Sequence, residues 1–144
     1  MSPLCAPPPD ERWASHDGDI AVRRPGPGLM LVTLRGHMSV NAAGFLWAAF
    51  RRSLLSAAQV NVFSDMEEVS GHDARCRAEA TKLLSELRER GGTLTVFVRS
   101  RLAAAGLRVA SLALGVSVRV HTNRRSFEDA VMRAAMRAPM SGAA

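Results

Sequence analysis

Three short apolar runs, QVNVF, TLTVFV and VSVRVH, are separated from one another by helix-length segments, and this alternation restricts the fold more than any other feature. Strands joined by helices pair in parallel through crossover connections, so the pattern specifies an α/β domain with a mostly parallel sheet. Upstream, DIAVRR and GLMLVTLRG are two further β-like segments separated by PGPG, a breaker that suits a hairpin connection. The first strand is therefore free to pair antiparallel.

The helices can be bounded from their caps. Ser39 caps a helix running to about Ala57, with Phe45, Trp47, Phe50 and Leu54 as its apolar bulk. The segment from about His72 to Arg90 is the clearest in the chain. Cys76, Ala80, Leu83, Leu84 and Leu87 share one face, Glu79, Lys82, Glu86 and Arg90 mark the other, and Gly91-Gly92 ends it. Ser100 caps a third helix through about Leu114, closed by Gly115. In SFEDAVMRAAMRA, Ser126 and Asp129 fit a capping box and Pro139 provides the stop. The predicted order is β-β-α-β-α-β-α-β-α. Residues 1–17 read as a flexible proline-rich tail, 18–138 as the domain and 139–144 as a short C-terminal tail. The helix from 101 is apolar nearly all round, and coverage by its own fold is preferred to a subunit interface. It is expected to share a sheet face with the last helix.

Composition excludes several classes. No run of 18 apolar residues is present, so no membrane span is expected. The N-terminus lacks the basic start and apolar stretch of a signal peptide, which points to the cytoplasm. Cys5 and Cys76 do not make a disulfide framework. The net charge is +6, and eight arginines from Arg99 onward face only Glu128 and Asp129. A nucleic-acid partner is not expected even so, because the chain has no tyrosine and Phe127 is the only aromatic after residue 100.

The stretch NVFSDMEEVSGHDARC, residues 61–76, concentrates the polar chemistry. In the element order and in this stretch, the chain resembles the STAS domains, the anti-sigma-factor antagonist family. The family pattern reads Asp-Leu-Ser-x-Val-x-x-x-Asp-Ser-Ser-Gly-Leu, and its second serine can accept phosphate. Asp65, Val69 and Asp73 match it, while Ala74 and Arg75 stand in place of the serine pair and Cys76 in place of the glycine. The resemblance thus implies a STAS-like fold with no phosphoacceptor. It looks closer to the divergent STAS/SEC14-like, or sporulation-antagonist-like, branch, which includes many bacterial proteins.

In an open α/β sheet, ligands bind at the edge where the loops after the strands gather. Here those loops are Gly36-His37, Asp65 to Asp73, Arg99-Ser100 and His121 to Arg125. A metal would use His37, His72 and His121 with Asp65 or Asp73. No two of these histidines share ligand spacing on one element, so no metal is expected. Asp65 with Glu67, Glu68 or Asp73 could form an acid–base pair, but Ser70 and Asp73 have capping-box spacing at a helix start, which accounts for the acids without catalysis. Cys76 lies on an apolar face, Ser70 lacks a nucleophile elbow, and PGPG lacks the spacing and lysine of a phosphate loop. Ser100, between Arg99 and Arg101, is a helix cap before it is an anion site.

No catalytic residue and no cofactor are indicated. Asp65, Ser70, His72, Asp73, Arg75, Arg99, Ser100, Arg101, His37 and His121 are expected to form a contact surface. The resemblance implies a non-enzymatic regulatory module that docks on a protein partner, a regulatory kinase or an anti-sigma-type protein, with a homodimer as a further arrangement. The alternative is a SEC14-like binder of a small apolar or anionic ligand.

Overall fold

The computed structural model describes residues 10–113, 115 and 117–142. Its elements are β1 (Glu11–Ala14), β2 (Gly18–Arg23), β3 (Leu29–Met38), α1 (Val40–Ser53), β4 (Asn61–His72), α2 (Ala74–Glu89), β5 (Thr93–Phe97), α3 (Arg101–Ala113), β6 (Val118–His121) and α4 (Arg124–Gly142). The six strands form one sheet in the order β1-β2-β3-β4-β5-β6. β1, β2 and β3 pair antiparallel, and β3 through β6 pair parallel.

That order explains the layering. Each crossover advances one strand in the same direction, and right-handed crossovers then place all their helices on one face. α1 and α2 accordingly cover Ile20, Val22, Met30, Val32 and Val60, with Phe50 and Leu87 at the centre of the cluster. α3 continues the layer, with Ala104 and Leu107 over Val96, Val98 and Val120. α4 follows the last strand and is free to fold back on the opposite face. There Phe127 meets Phe63 edge-on with ring centroids 6.3 Å apart, and stacks on Phe97 at 5.6 Å. The expectation that α3 and α4 share a face is therefore corrected.

The N-terminal boundary also changes. Residues 11–14, assigned to the tail from sequence, form an edge strand, with Trp13 packed against the α1-side core. Charge fixes this strand. The Glu11 carboxylate lies between Arg52 and Arg24, whose Nη2 is 2.5 Å from Oε2. Arg24 also donates to Ser53 Oγ and to the Ala49 carbonyl, both at 2.8 Å. None of these partners is adjacent in sequence, which is why proline content alone suggested a tail. Residues 1–9 lie outside the described residues.

Three other boundaries differ. α1 ends at Ser53 rather than near Ala57, although Ser39 caps it as expected, accepting from Ala42 N at 3.3 Å. α4 begins at Arg124 because Asn123, not Ser126, is the cap: Asn123 Oδ1 accepts from Ser126 N at 3.1 Å. At its other end α4 passes through Pro139 to Gly142. A proline near a helix end removes one amide donor, here the one for the Ala135 carbonyl, and the last residues keep the helical path.

The largest difference is β4, which runs 12 residues to His72 instead of stopping at Asp65. Two register shifts against β3, between Thr33 and Arg35 and between Gly36 and His37, make this possible. Each inserts an extra residue on β4 and resets which face the next side chain takes, so Met66 and Val69 both reach the α1-side core. Gly36, at the second shift, packs on its other side against the start of β2. Its φ is +77°, and a Cβ there would run into the Asp17 carbonyl oxygen. Gly36→Ala is expected to destabilise the fold by about 2–3 kcal/mol in urea titration; a change below about 0.5 kcal/mol would show that the bulge relaxes freely.

Candidate functional site

The extension of β4 divides the expected rim in two. At the end of β5, Asp65 pairs with Phe97 and Phe97 with His121, so these three positions are neighbours. β4 then continues beside β3 alone to His72. Seven residues of strand carry it roughly 20 Å from Asp65. His37 and His72 therefore do not converge on His121. Among the described residues, no three His, Cys, Asp or Glu side chains stand where they could share a metal ion.

The nearer cluster is built around Arg124, the first residue of α4. Its Nη2 lies 3.1 Å from Asp65 Oδ2 and 3.2 Å from Glu67 Oε1, and its Nη1 lies 3.6 Å from Glu128. The guanidinium also sits 4.8 Å above the Phe97 ring, a cation–π contact. Arg99 adds a longer contact of 3.7 Å to Glu67. Burial works against the Arg124 charge, but the hydrogen bonds and attraction from Asp65 and then Glu67 outweigh it and hold its pKa above the ordinary guanidinium value. An acid–base pair would need carboxylates whose environments drive them apart. Asp65 and Glu67 instead share one cation, and the cluster fastens α4 to the sheet.

His121 belongs to the same end. Its Nδ1 lies 2.9 Å from Ser126 Oγ and its ring meets Phe127 at 6.2 Å. Burial, then the nearby Arg133 and Arg119, lower its pKa from the ordinary 6.5. The unfolded chain binds this proton near 6.5, whereas the folded chain binds it only at lower pH. The stability that neutral His121 confers is thus complete above the unfolded value and lost as pH falls through the folded one. Replacing His121 by asparagine is expected to flatten stability against pH below about 6.5, read by urea titrations across that range. Parallel profiles for the two proteins would refute the assignment.

The farther group lies where β3 and β4 end. Asp73 occupies the N-cap position of α2, but its side chain makes no cap bond. It pairs instead with His37, Oδ1 to Nε2 at 2.7 Å. His72 Nε2 accepts from Arg77 Nε at 3.0 Å. Ser70 is exposed within β4 and caps nothing, so the expected Ser70–Asp73 capping box is not formed; the longer strand has taken those residues. Ala74 and Arg75 are exposed at the first turn of α2, and Arg75 makes no side-chain hydrogen bond or ion pair among the described residues.

Ser100 is the α3 cap, its Oγ accepting from Leu102 N at 3.1 Å and Ala103 N at 3.3 Å. Arg101 beside it is exposed. Cys76 is a buried core residue, its thiol pushed up in pKa by burial and then by Asp73. Of the ten positions read from sequence, the structure joins His37 with Asp73, while Asp65 and Arg99 meet only through Glu67 and Arg124. Sequence reading missed Arg124, because the helix start was placed at Ser126. The Asn-x-x-Ser spacing of Asn123 and Ser126 was the available signal.

α3 departs from expectation most clearly. Leu102 is 84% exposed, Val109 68% and Leu112 82%, so the fold does not cover this helix on its outer side. Open clefts of about 230 Å³ beside Leu84, Leu87 and Leu94 and of about 530 Å³ beside Arg108, Leu112 and Val118 flank α3 and β6. No helix among the described residues is long and apolar enough to cross a membrane.

No family model and no curated protein matches the sequence. Solved structures do. A protein of the DUF3478 family with a SpoIIAA-like fold, from Shewanella loihica, superposes with a TM-score of 0.64 at 14% identity, covering 81% of this chain and 97% of the other. The anti-sigma factor antagonist SpoIIAA in its unphosphorylated form gives 0.61 at 12% identity, over 80% and 96% of the two chains. The phosphorylated form of the Bacillus cell fate determinant SpoIIAA gives 0.57 at 12%, over 77% and 98%. At such identities the likeness is one of fold, and the chain has a divergent STAS-like fold of the SpoIIAA type.

Proposed function

We propose that the chain is a non-enzymatic regulatory module that acts by docking on a protein partner, as an anti-sigma-factor antagonist does. The observation that carries this reading is the use made of the charged groups. Asp65 and Glu67 are taken up by Arg124, and Asp73 by His37, and none of them lines either of the clefts beside α3. What the end of β4 and the start of α2 present to solvent is His72, Asp73, Ala74 and Arg75. Ala74 and Arg75 carry no hydroxyl, so no phosphate switch operates at those two positions. The partner class is a regulatory kinase or an anti-sigma-type protein, and a homodimer through the same surface is a further arrangement.

The SEC14-like alternative requires an enclosed apolar site. Drug-sized ligands occupy clefts of about 300–1,000 Å³ that cover most of their surface. The smaller cleft is below that range, and the larger, though within it, is open to solvent and includes Arg108, Ser111 and Ser117 in its lining. Docking is the better-supported reading.

The test is co-purification of a tagged chain from its native cells. Arg75→Glu removes no hydrogen bond or ion pair among the described residues and lies at an exposed position, so its stability is expected to stay within about 0.5 kcal/mol of wild type while the partner is lost. Asp73→Arg, which also breaks the His37 pair, should lose the partner as well. Full retention of the partner by both variants would overturn the reading.

A further inference from the structure

The face of α3 that looks away from the sheet has no counterpart among the described residues. Ala104, Leu107 and Ser111 turn inward. With 3.6 residues per turn, the opposite side carries Leu102, Ala105, Gly106 and Val109, with Leu112 at its margin. Single exposed apolar side chains are ordinary on protein surfaces. Three large ones along one 13-residue helix make a continuous row.

Gly106 lies in the middle of that row. Glycine weakens a helix interior relative to alanine, and nothing in the chain requires it here, since an added Cβ would meet no heavy atom within 4 Å. Its φ is not positive either. Beside Ala105 it forms a low point between Leu102 and Val109, where another backbone can approach closely. Gly44 on α1 is equally open, but no fully exposed large apolar residue accompanies it.

Charge selects the occupant. Arg101 and Arg108 lie seven residues apart along one flank of the row, and neither has a carboxylate partner among the described residues. Arg108 reaches the Val120 carbonyl at 3.3 Å, which places this flank on the β6 side. From Arg99 to His121 the chain has four arginines and no acidic residue. An antiparallel, two-fold pairing of α3 with its own copy would set arginine flank against arginine flank. A lipid surface shares the negative charge, but an interfacial helix carries a strongly basic polar face opposite its apolar one, whereas α3 has only Arg101 and Arg108 and turns its other side, Ala104, Leu107 and Ser111, onto the sheet.

We propose that the outer face of α3 receives an amphipathic helix of a partner protein, its apolar side bordered by carboxylates along one edge, with Gly106 at the closest approach. This rests on the protein-docking reading above and specifies the partner's chemistry. Leu102 and Val109 supply the apolar contact, and Arg101 and Arg108 pair with the acidic edge.

The test uses a displayed library of amphipathic helices whose edge positions vary among Glu, Lys, Gln and Ser. It is selected on the wild-type chain, with Gly106→Leu as counter-selection. Glutamate should be enriched along one edge. A selected peptide should bind more than about tenfold more weakly to Gly106→Leu and to the Arg101→Glu/Arg108→Glu double variant. Gly106→Leu should melt no lower than wild type, because leucine is the better helix former, so lost binding cannot be ascribed to unfolding. Enrichment of lysine or neutral edges, or no sequence surviving counter-selection, would overturn the proposal. So would binding to phosphatidylglycerol vesicles, or a wild-type dimer in sedimentation, that Gly106→Leu abolishes. If the library fails while Arg75-dependent capture of the native partner persists, the α3 assignment falls and the docking reading stands. If capture proves independent of the rim but the library succeeds, the reverse holds.

Discussion

Phe127→Ala is expected to remove about 3–5 kcal/mol of folding stability. Phe127 is 3% exposed and lies at the junction of Phe63, Phe97 and His121. α4 is the only helix on this face among the described residues, so no second layer can close over the gap. Deletion of the ring leaves a cavity in addition to the lost transfer energy. It also undoes the anchoring of Arg124, whose guanidinium lies over the Phe97 ring that Phe127 supports. Because total stability of such a domain is about 5–15 kcal/mol, the loss should appear as a large drop in urea midpoint. Trp13 and Trp47 both pack in the α1-side core, so their fluorescence reports unfolding from the opposite face of the sheet. A loss under about 1 kcal/mol would mean that α4 is not docked as described.

The second large effect is expected at Arg24. Its side chain is 23% exposed and joins Glu11, Ser53 Oγ and the Ala49 carbonyl, tying β1 to the C-terminal turn of α1. Arg24→Met should cost about 2–3 kcal/mol, because it leaves the Glu11 carboxylate, only 17% exposed, with Arg52 as its remaining partner. Adding Glu11→Gln to that variant should cost less than Glu11→Gln does in wild type, since the charge to be compensated has gone. Additive losses in this double-mutant cycle would show that Arg24 and Glu11 are not coupled. Amide exchange in β1 should accelerate in Arg24→Met even where the remainder of the sheet stays protected.

How much of this was legible in the sequence depended on how local the cause was. PGPG marked the β2–β3 hairpin, Ser39 and Ser100 capped α1 and α3, and Gly91 and Gly115 closed α2 and α3, because caps and turns are set within four or five residues. The α/β class and the parallel strands followed from alternation alone. Two things were hidden. β1 is held by Arg24 and Arg52, which stand 13 and 41 positions from Glu11, and no local pattern announces such a pairing. The second half of β4 reads as a polar turn because its two register shifts break the alternation expected of a strand.

The site was legible in composition and not in arrangement. Asp65, His37, Asp73 and Ser100 were found because polar residues near strand ends stand out. Their partners required the fold: Arg124 reaches Asp65 across 59 positions, and Asp73 reaches His37 across 36. The exposure of α3 was missed for a related reason. An all-round apolar helix is buried in most folds, and only the position of α3 at the β6 edge leaves its outer side open.

Native mass spectrometry of the tagged chain drawn from its own cells tests the central claim most directly. The expected result is a stoichiometric protein adduct that is present with wild type and absent with Arg75→Glu. A retained lipid or other small apolar adduct, with no bound protein, would contradict docking as the function of this fold.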